Sequence, residues 1–371
     1  MKRLFIVTIT LVSITLTQAK EHSDARLSEA TEQLIDRNLP NLEFKAPASC
    51  TAQIKKLIIR DIVNGKRDTE VTLGRSSLYF PIFEHFLRKY DLPAELKYIP
   101  YVETRLKPRA ISPVGATGLW QFMSYTAQRY HLRTNSLVDD RYDPIRATEA
   151  ATRFLQDLYV EFDDWLLALA AYNCGSGRVQ RAIRLSKSRD YWKLRRYLPV
   201  QTQQYIPRFI AAAYIGEFHK EHNLKPKHYV FNFKNIKVLK IRQNQSVRLS
   251  DLAKVTDLPI TTVRMLNPAY IEGVVPVNQR GNYLIFPAAT IARVQRYLSK
   301  VNGRGVQEIK LVPIIPIAEV PVQPSSSSGN TMLYVPAERD SQQVWAWWAY
   351  AERFFDEHRW FAALTLEERL S

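Results

Sequence analysis

Glu103 is the residue best placed by its neighbours to do chemistry. Pro93 suits the first turn of a helix, where its missing N–H is no loss. On a helix over 93–104, Leu96, Ile99 and Glu103 fall at i, i+3 and i+7, on one face, with Pro100 beside them. A carboxylate on an apolar stripe near a helix C-terminus is disfavoured by desolvation and by the negative end of the helix dipole. Held protonated toward about pH 6, such a group can give a proton to a leaving oxygen and take one back. The spacing equally admits an exposed carboxylate paired with Arg105 or Arg109. A glycosidase of the usual kind needs a second carboxylate, and after Glu103 the next acidic residue is Asp139.

The residues after Glu103 narrow the choice. Thr104 is followed by Pro108, Ala110 and Ser112, then by Gly115-Ala116-Thr117-Gly118-Leu119 and Gln121. Gly115 and Gly118 let the backbone bend and approach a ligand without a Cβ in the way. Gln121, read as lying on a helix over 118–131, offers an amide to a sugar hydroxyl or N-acetyl group. Asp143-Pro144 precedes a helix holding Ala150 and Ala151, and Ala171-Tyr172-Asn173-Cys174-Gly175 ends another, with Gly175 as its C-cap. Leu198-Pro199, Thr202 and Tyr205-Ile206-Pro207 come last. By residue type, Tyr172 and Tyr205 also read as core rings with satisfied hydroxyls.

These four ordered motifs, over about 75–220, resemble the soluble lytic transglycosylase (SLT) family, whose signatures are Glu-Ser, Pro-x-Ala-x-Ser, Gly-Ala-x-Gly-Leu-x-Gln, Ala-Tyr-Asn-x-Gly and Pro-x-Glu-Thr-x-x-Tyr-Val. Thr104 stands for the usual Ser, Ser124 for a common Pro, and Gln201 for the closing Glu. The resemblance implies a mainly α, lysozyme-like (goose-type) catalytic domain with Glu103 as catalytic acid and then base. It places Thr104, Ser112, Gly115, Gly118, Gln121, Tyr172, Asn173 and Tyr205 along a cleft for peptidoglycan glycan strands. The implied reaction uses the 6-hydroxyl of the cleaved muramic acid as nucleophile and yields a 1,6-anhydro sugar, with no metal or cofactor. Two alternatives stay open. A hydrolytic goose-type lysozyme would want another cleft carboxylate, for which Asp139, Asp140 and Asp143 are nearest in sequence. A non-catalytic glycan-binding scaffold is permitted by Thr104 and Gln201.

The elements that must position these residues are helical. Apolar residues recur at helical spacing over 24–38, 51–65, 76–90, 93–104, 118–131, 145–160, 164–173, 178–185 and 201–219. An all-helical unit over 20–227 follows. From 228 to 241 the pattern alternates like a strand, with Phe231, Ile236, Val238 and Ile241 apolar. Ser250–Thr256 and Thr261–Leu266 read as short helices with hydroxyl N-caps, and Tyr283–Pro287 as a closing strand. This β-α-α-β unit, 234–290, resembles a LysM peptidoglycan-binding module through Leu266-Asn267-Pro268, although Gln245–Leu249 departs from the usual opening. A helical patch at 291–300, a Pro/Ser-rich linker over 301–335 and an aromatic C-terminal segment over 336–371 complete the chain; the last reads as a packed helix or as an amphipathic surface helix.

Met1–Arg3, the apolar run Leu4–Leu16 and Thr17-Gln18-Ala19 read as a signal peptide, 1–19, with no lipid-attachment cysteine after it. This predicts export to the periplasm or cell envelope. Cys50 and Cys174, the only two cysteines, then either pair or stay as thiols. With 46% hydrophobic and 24% charged residues the chain is globular rather than disordered. A formal net charge of +16 favours anionic partners and peripheral association with the envelope. No nucleic-acid motif accompanies that charge, and the leader argues against such a partner. Oligomeric state is not written in the pattern. N-terminal sequencing of the exported form is expected to start at or near Lys20; an intact Met1 on a protein retained in the cytoplasm would overturn the export reading.

Overall fold

The computed structural model describes residues 29–227, 231, 233–302 and 307–309. The leader, most of the 301–335 linker and the aromatic segment 336–371 lie outside them, so the expectations for those stretches have no structural counterpart here. Residues 29–38 are helical. Helix α1 (Ala48–Ile59) runs into a π-helical turn, Arg60–Asn64, and then into the long α2 (Lys66–Lys89). The latter begins a decade before the helix read from sequence, because its first turns carry few apolar residues beyond Leu73. A 3-10 turn (Ala94–Tyr98) leads into α3 (Ile99–Thr104). Then come α4 (Ser124–Arg129), α5 (Pro144–Phe162), α6 (Trp165–Cys174), α7 (Ser176–Ser186), α8 (Tyr191–Leu194) and α9 (Val200–Phe218).

Helix α6 is the centre of this unit. Leu167, Ala168, Leu169, Ala170 and Ala171 are all buried, so every side of the helix is covered. Its alanines let α5 and α9 approach closely, and both pack against it. Asp143 and Asp164 accept from the first-turn N–H groups of α5 and α6, fixing where those helices start. The helix expected over 118–131 is only Ser124–Arg129. Gly118 (φ 81°) and Gln121 (φ 49°) are left-handed, which breaks the helical path, and 110–123 becomes a loop with bridges Ile111–Thr117 and Thr117–Phe122. Among the described residues no helix is long and apolar enough to cross a membrane. Cys50 and Cys174 are both buried free thiols, and burial pushes the Cys174 thiol up to about 11.

The second unit holds a three-stranded antiparallel sheet in the order β4 (Asn282–Pro287), β1 (Ile236–Ile241), β5 (Gln307–Ile309), with Ile236 opposite Pro287 and Val238 opposite Ile309. A two-residue pair, β2 (Val247–Arg248) with β3 (Val274–Val275), flanks α10 (Leu249–Thr256) and α11 (Ile260–Leu266). The N-cap positions of these helices are Arg248 and Pro259, not hydroxyls. Strand β1 starts at Ile236, and Phe233–Asn235, expected to be strand, form a 3-10 turn instead. The unit also reaches past 290: α12 (Ile291–Asn302) sends Val294 and Leu298 into its core, and β5 completes its sheet.

Tyr98, the last residue before α3, is 1% exposed and its hydroxyl donates to Glu217 at 2.8 Å. Its ring lies against Gly216 of α9, where an added Cβ would sit 2.1 Å from Cε1. Only glycine lets α9 and the 3-10 turn before α3 meet this closely. Gly216→Ala is expected to cost about 1–3 kcal/mol by overpacking, read as a fall in Tm by circular dichroism. An unchanged Tm would mean that the Tyr98 contact is not tight.

Candidate active site

Helix α3 is six residues long, and its end determines where Glu103 points. Pro100 sits in its first turn. Arg105 (φ 50°) and Leu106 (φ 59°) are both left-handed, with the Arg105 N–H donating to the Tyr101 carbonyl (3.0 Å) and the Leu106 N–H to that of Pro100 (3.3 Å). Two consecutive non-glycine residues in this region are strained; full burial of the Leu106 side chain offsets the cost. The turn carries the chain away sharply and leaves Glu103 at the lip of the helix. Leu96 and Ile99 are fully buried on the face it shares.

Glu103 itself is half-buried, and burial raises its pKa to about 7, opposed by the Tyr205 hydroxyl. Pairing with a neighbouring arginine is not seen. Arg105 turns to Asp68 (3.4 Å) and Arg109 donates to the Pro268 carbonyl (3.2 Å), so among the described residues no cation pairs with Glu103. The Tyr205 hydroxyl is buried without a close hydrogen-bond partner and faces the carboxyl at longer range. The Tyr172 hydroxyl donates to the Trp120 carbonyl at 2.6 Å. Burial, and then the charge of Glu103, raise both phenols well above their usual range, so both stay protonated. Glu103 from α3, Tyr172 from α6 and Tyr205 from α9 thus lie together.

The remaining expected residues divide. Ser112 accepts from the Ala116 N–H (2.9 Å) and shapes the loop, and the Thr104 hydroxyl donates to the Pro100 carbonyl of its own helix (3.0 Å). Asn173 accepts from the Thr202 hydroxyl (2.8 Å), tying α6 to α9. Gln121 donates its amide to the carbonyls of Gly118 (2.9 Å) and Ala110 (3.3 Å), which leaves its Oε1 for a ligand. An added Cβ at Gly115 meets open space, whereas at Gly118 it would lie 1.9 Å from the Arg141 carbonyl. Both glycines are left-handed (φ 83° and 81°), and at Gly118 packing also excludes a side chain.

Asp139, Asp140 and Asp143 are all committed elsewhere. Asp139 pairs with Arg141 (2.7 Å) and Asp140 with Arg133 (2.8 Å), while Asp143 caps α5. Two residues of the site escaped the sequence reading. Trp120, fully buried and donating to Thr148 (2.9 Å), supplies the carbonyl that orients Tyr172. Arg141 donates to the carbonyls of Gly115 (3.1 Å) and Phe122 (3.3 Å), bracketing the loop. The Asp-x-Arg spacing at 139–141 was the available signal, but it names no target.

Residues 80–195 match the family model described as Transglycosylase SLT domain, and 237–303 match Lytic transglycosylase MltD, LysM-like domain. The chain is 37% identical over 161 residues to the membrane-bound lytic murein transglycosylase D of Escherichia coli (strain K12), covering 42% of this chain and 35% of that protein. It thus spans about a third of that relative's length. It is 34% identical over 144 residues to the "Putative tributyltin chloride resistance protein" of Alteromonas sp. (strain M-1), covering 37% of this chain and 69% of that one. The 70-kDa soluble lytic transglycosylase solved in complex with bulgecin A overlays at a TM-score of 0.36, with 22% identity over 51% of this chain and 35% of that one.

A buried acid carries a stability cost with a definite sign. Folded Glu103 titrates at about 7 and the unfolded residue at 4.5. Between those values the folded state binds the extra proton, so stability falls as pH rises and the full cost, on the order of 3 kcal/mol, is present above about 7. Glu103→Gln is expected to raise Tm at pH 8 and to leave it nearly unchanged at pH 4. Equal Tm values at pH 8 would mean that Glu103 is not desolvated.

Proposed function

Because the chain belongs to the transglycosylase SLT family, we propose that it is an exported lytic transglycosylase cleaving the β-1,4 bond between N-acetylmuramic acid and N-acetylglucosamine in peptidoglycan, with formation of 1,6-anhydro-muramic acid ends. The observation that carries this is a single carboxyl, raised to about 7 by burial, with two protonated tyrosines close to it, while Asp139, Asp140 and Asp143, the nearest acidic residues after it in sequence, are engaged elsewhere.

That geometry is compatible with the following sequence of proton transfers. Protonated Glu103 gives its proton to the glycosidic oxygen as the bond to the muramic C1 breaks and positive charge develops on the ring. The carboxylate then takes the proton of the 6-hydroxyl of the same sugar, whose oxygen closes on C1. An intramolecular nucleophile carries a high effective concentration and removes the need for a positioned water. Glu103 ends protonated and ready for the next turnover. The Tyr205 hydroxyl favours the ionised form, the form present between the two proton transfers. A hydrolase would use a second carboxylate to activate water, and Asp139, Asp140 and Asp143 are held in ion pairs or a helix cap. Gly115 and Gln121 Oε1 are the loop groups proposed to meet the glycan, with Thr104, Ser112, Gly118 and Asn173 shaping the wall.

Glu103→Gln keeps size and polarity but removes the transferable proton. Its turnover on purified sacculi is expected to fall toward the upper end of ~10²–10⁴-fold, with binding retained. Mass spectrometry of wild-type products is expected to find anhydro ends, lighter by one water than reducing ends. Reducing ends alone would identify a hydrolase, and binding with no fragments a scaffold. Full turnover in Glu103→Gln would reject the assignment of the acid.

A further inference from the structure

The second unit's sheet is covered on both faces. Leu239, Ile241, Leu284 and Phe286 pack into its own core, while Ile236, Val238 and Ile285 on the other face join the core of the helical unit. Antiparallel sheets commonly leave one face to water; this one spends that face on docking. A backbone seam continues the contact. Val138 bridges to Tyr270, the Asp139 N–H donates to the Ala269 carbonyl (3.0 Å), and the Ile271 N–H to that of Leu137 (3.1 Å). Val138 is fully buried in the second unit's core, although it belongs to the chain of the first.

The seam holds the residue that holds the loop. Asp139 accepts from Arg141 Nε (2.9 Å) and Nη2 (2.7 Å), a two-pronged pair with little exposure. With its fork fixed there, Arg141 turns Nη1 to the carbonyls of Gly115 and Phe122, on the two sides of the loop 110–123. The Arg141 carbonyl meanwhile lies against Gly118.

We infer that Arg141 is a positioning residue for the glycan-binding loop, and that the LysM-like unit acts as its brace, setting the loop through the Leu137–Asp139 seam. The brace is distinct from any glycan affinity of that unit. Its effect on catalysis rests on the reading of the preceding subsection; its effect on the loop does not.

The test uses the full chain and two independent readouts. Arg141→Lys keeps the charge but lacks the planar fork that serves Asp139 and two carbonyls together. Hydrogen exchange of peptides within 110–123 is expected to quicken about tenfold, as for loss of a charge-assisted bond, with α2 and α5 unchanged. On a soluble glycan fragment too short to reach both units, kcat/KM is expected to fall about 10- to 100-fold, while the pH profile set by Glu103 keeps its position. Tyr270→Ala, in the other unit, should reproduce the faster exchange, and the double variant should add little to either single one. Val138→Ala loosens the same seam more gently and serves if Tyr270→Ala does not fold. Unchanged exchange over 110–123 in Arg141→Lys, or in the folded seam variant, overturns the brace. Faster exchange with unchanged kcat/KM on the short fragment overturns the catalytic half alone, and turnover by Glu103→Gln would overturn the preceding reading without touching the exchange result.

Discussion

A partly buried carboxyl with no cation paired to it among the described residues is pushed up to about 7 by desolvation, and the first unit is built to impose that cost on Glu103. Ordinary folds give a buried acid an arginine. Here the nearby arginines are engaged elsewhere, Arg105 with Asp68 and Arg109 with a carbonyl of the second unit. What surrounds the acid instead is aromatic and hydroxylic: Tyr172, tied to Trp120, and Tyr205, whose hydroxyl has no close partner. Such an arrangement persists only if the helices supplying it cannot relax toward the carboxyl. The alanine-packed α6 and the Tyr98–Gly216 contact give it that rigidity.

The loop 110–123, tied to Tyr172 through the Trp120 carbonyl, obeys a different constraint. It has no regular ladder, two of its glycines are left-handed, and Gln121 shares that conformation. Its shape is kept by side chains bonded to backbone: Ser112 to Ala116, Gln121 to Ala110 and Gly118, and Arg141 across both sides. Several polar side chains of this stretch are therefore engaged with backbone rather than left free. An irregular segment needs such partners because its own backbone cannot supply them.

Domain boundaries read from composition suggested a helical body with a separate module after it. Packing joins them. A sheet with two buried faces, a residue of one unit inside the core of the other, and Arg146 stacked on Tyr283 across the junction make the pair one folded body. The outer edge also moved, since α12 and β5 lie beyond residue 290, where the pattern read from sequence ends.

The sequence by itself determined the helical class and the helix order and singled out Glu103, Tyr172 and Tyr205 as candidates, because these depend on local periodicity, caps and residue type along continuous stretches. It also marked Gly115 and Gly118 as special, though for one reason where the structure has two. Only the tertiary structure decided that Glu103 has no counter-ion among the described residues, that Asp139 and Asp140 are held by arginines, and that Arg141 reaches the loop. It also ended the helix read over 118–131, where left-handed residues overrode apolar spacing. These outcomes turn on which of several possible partners lies within about 3 Å of a charged or polar group. That choice is made by the packing of α3, α6, α9 and the second sheet, segments far apart in the chain, and no local pattern carries it.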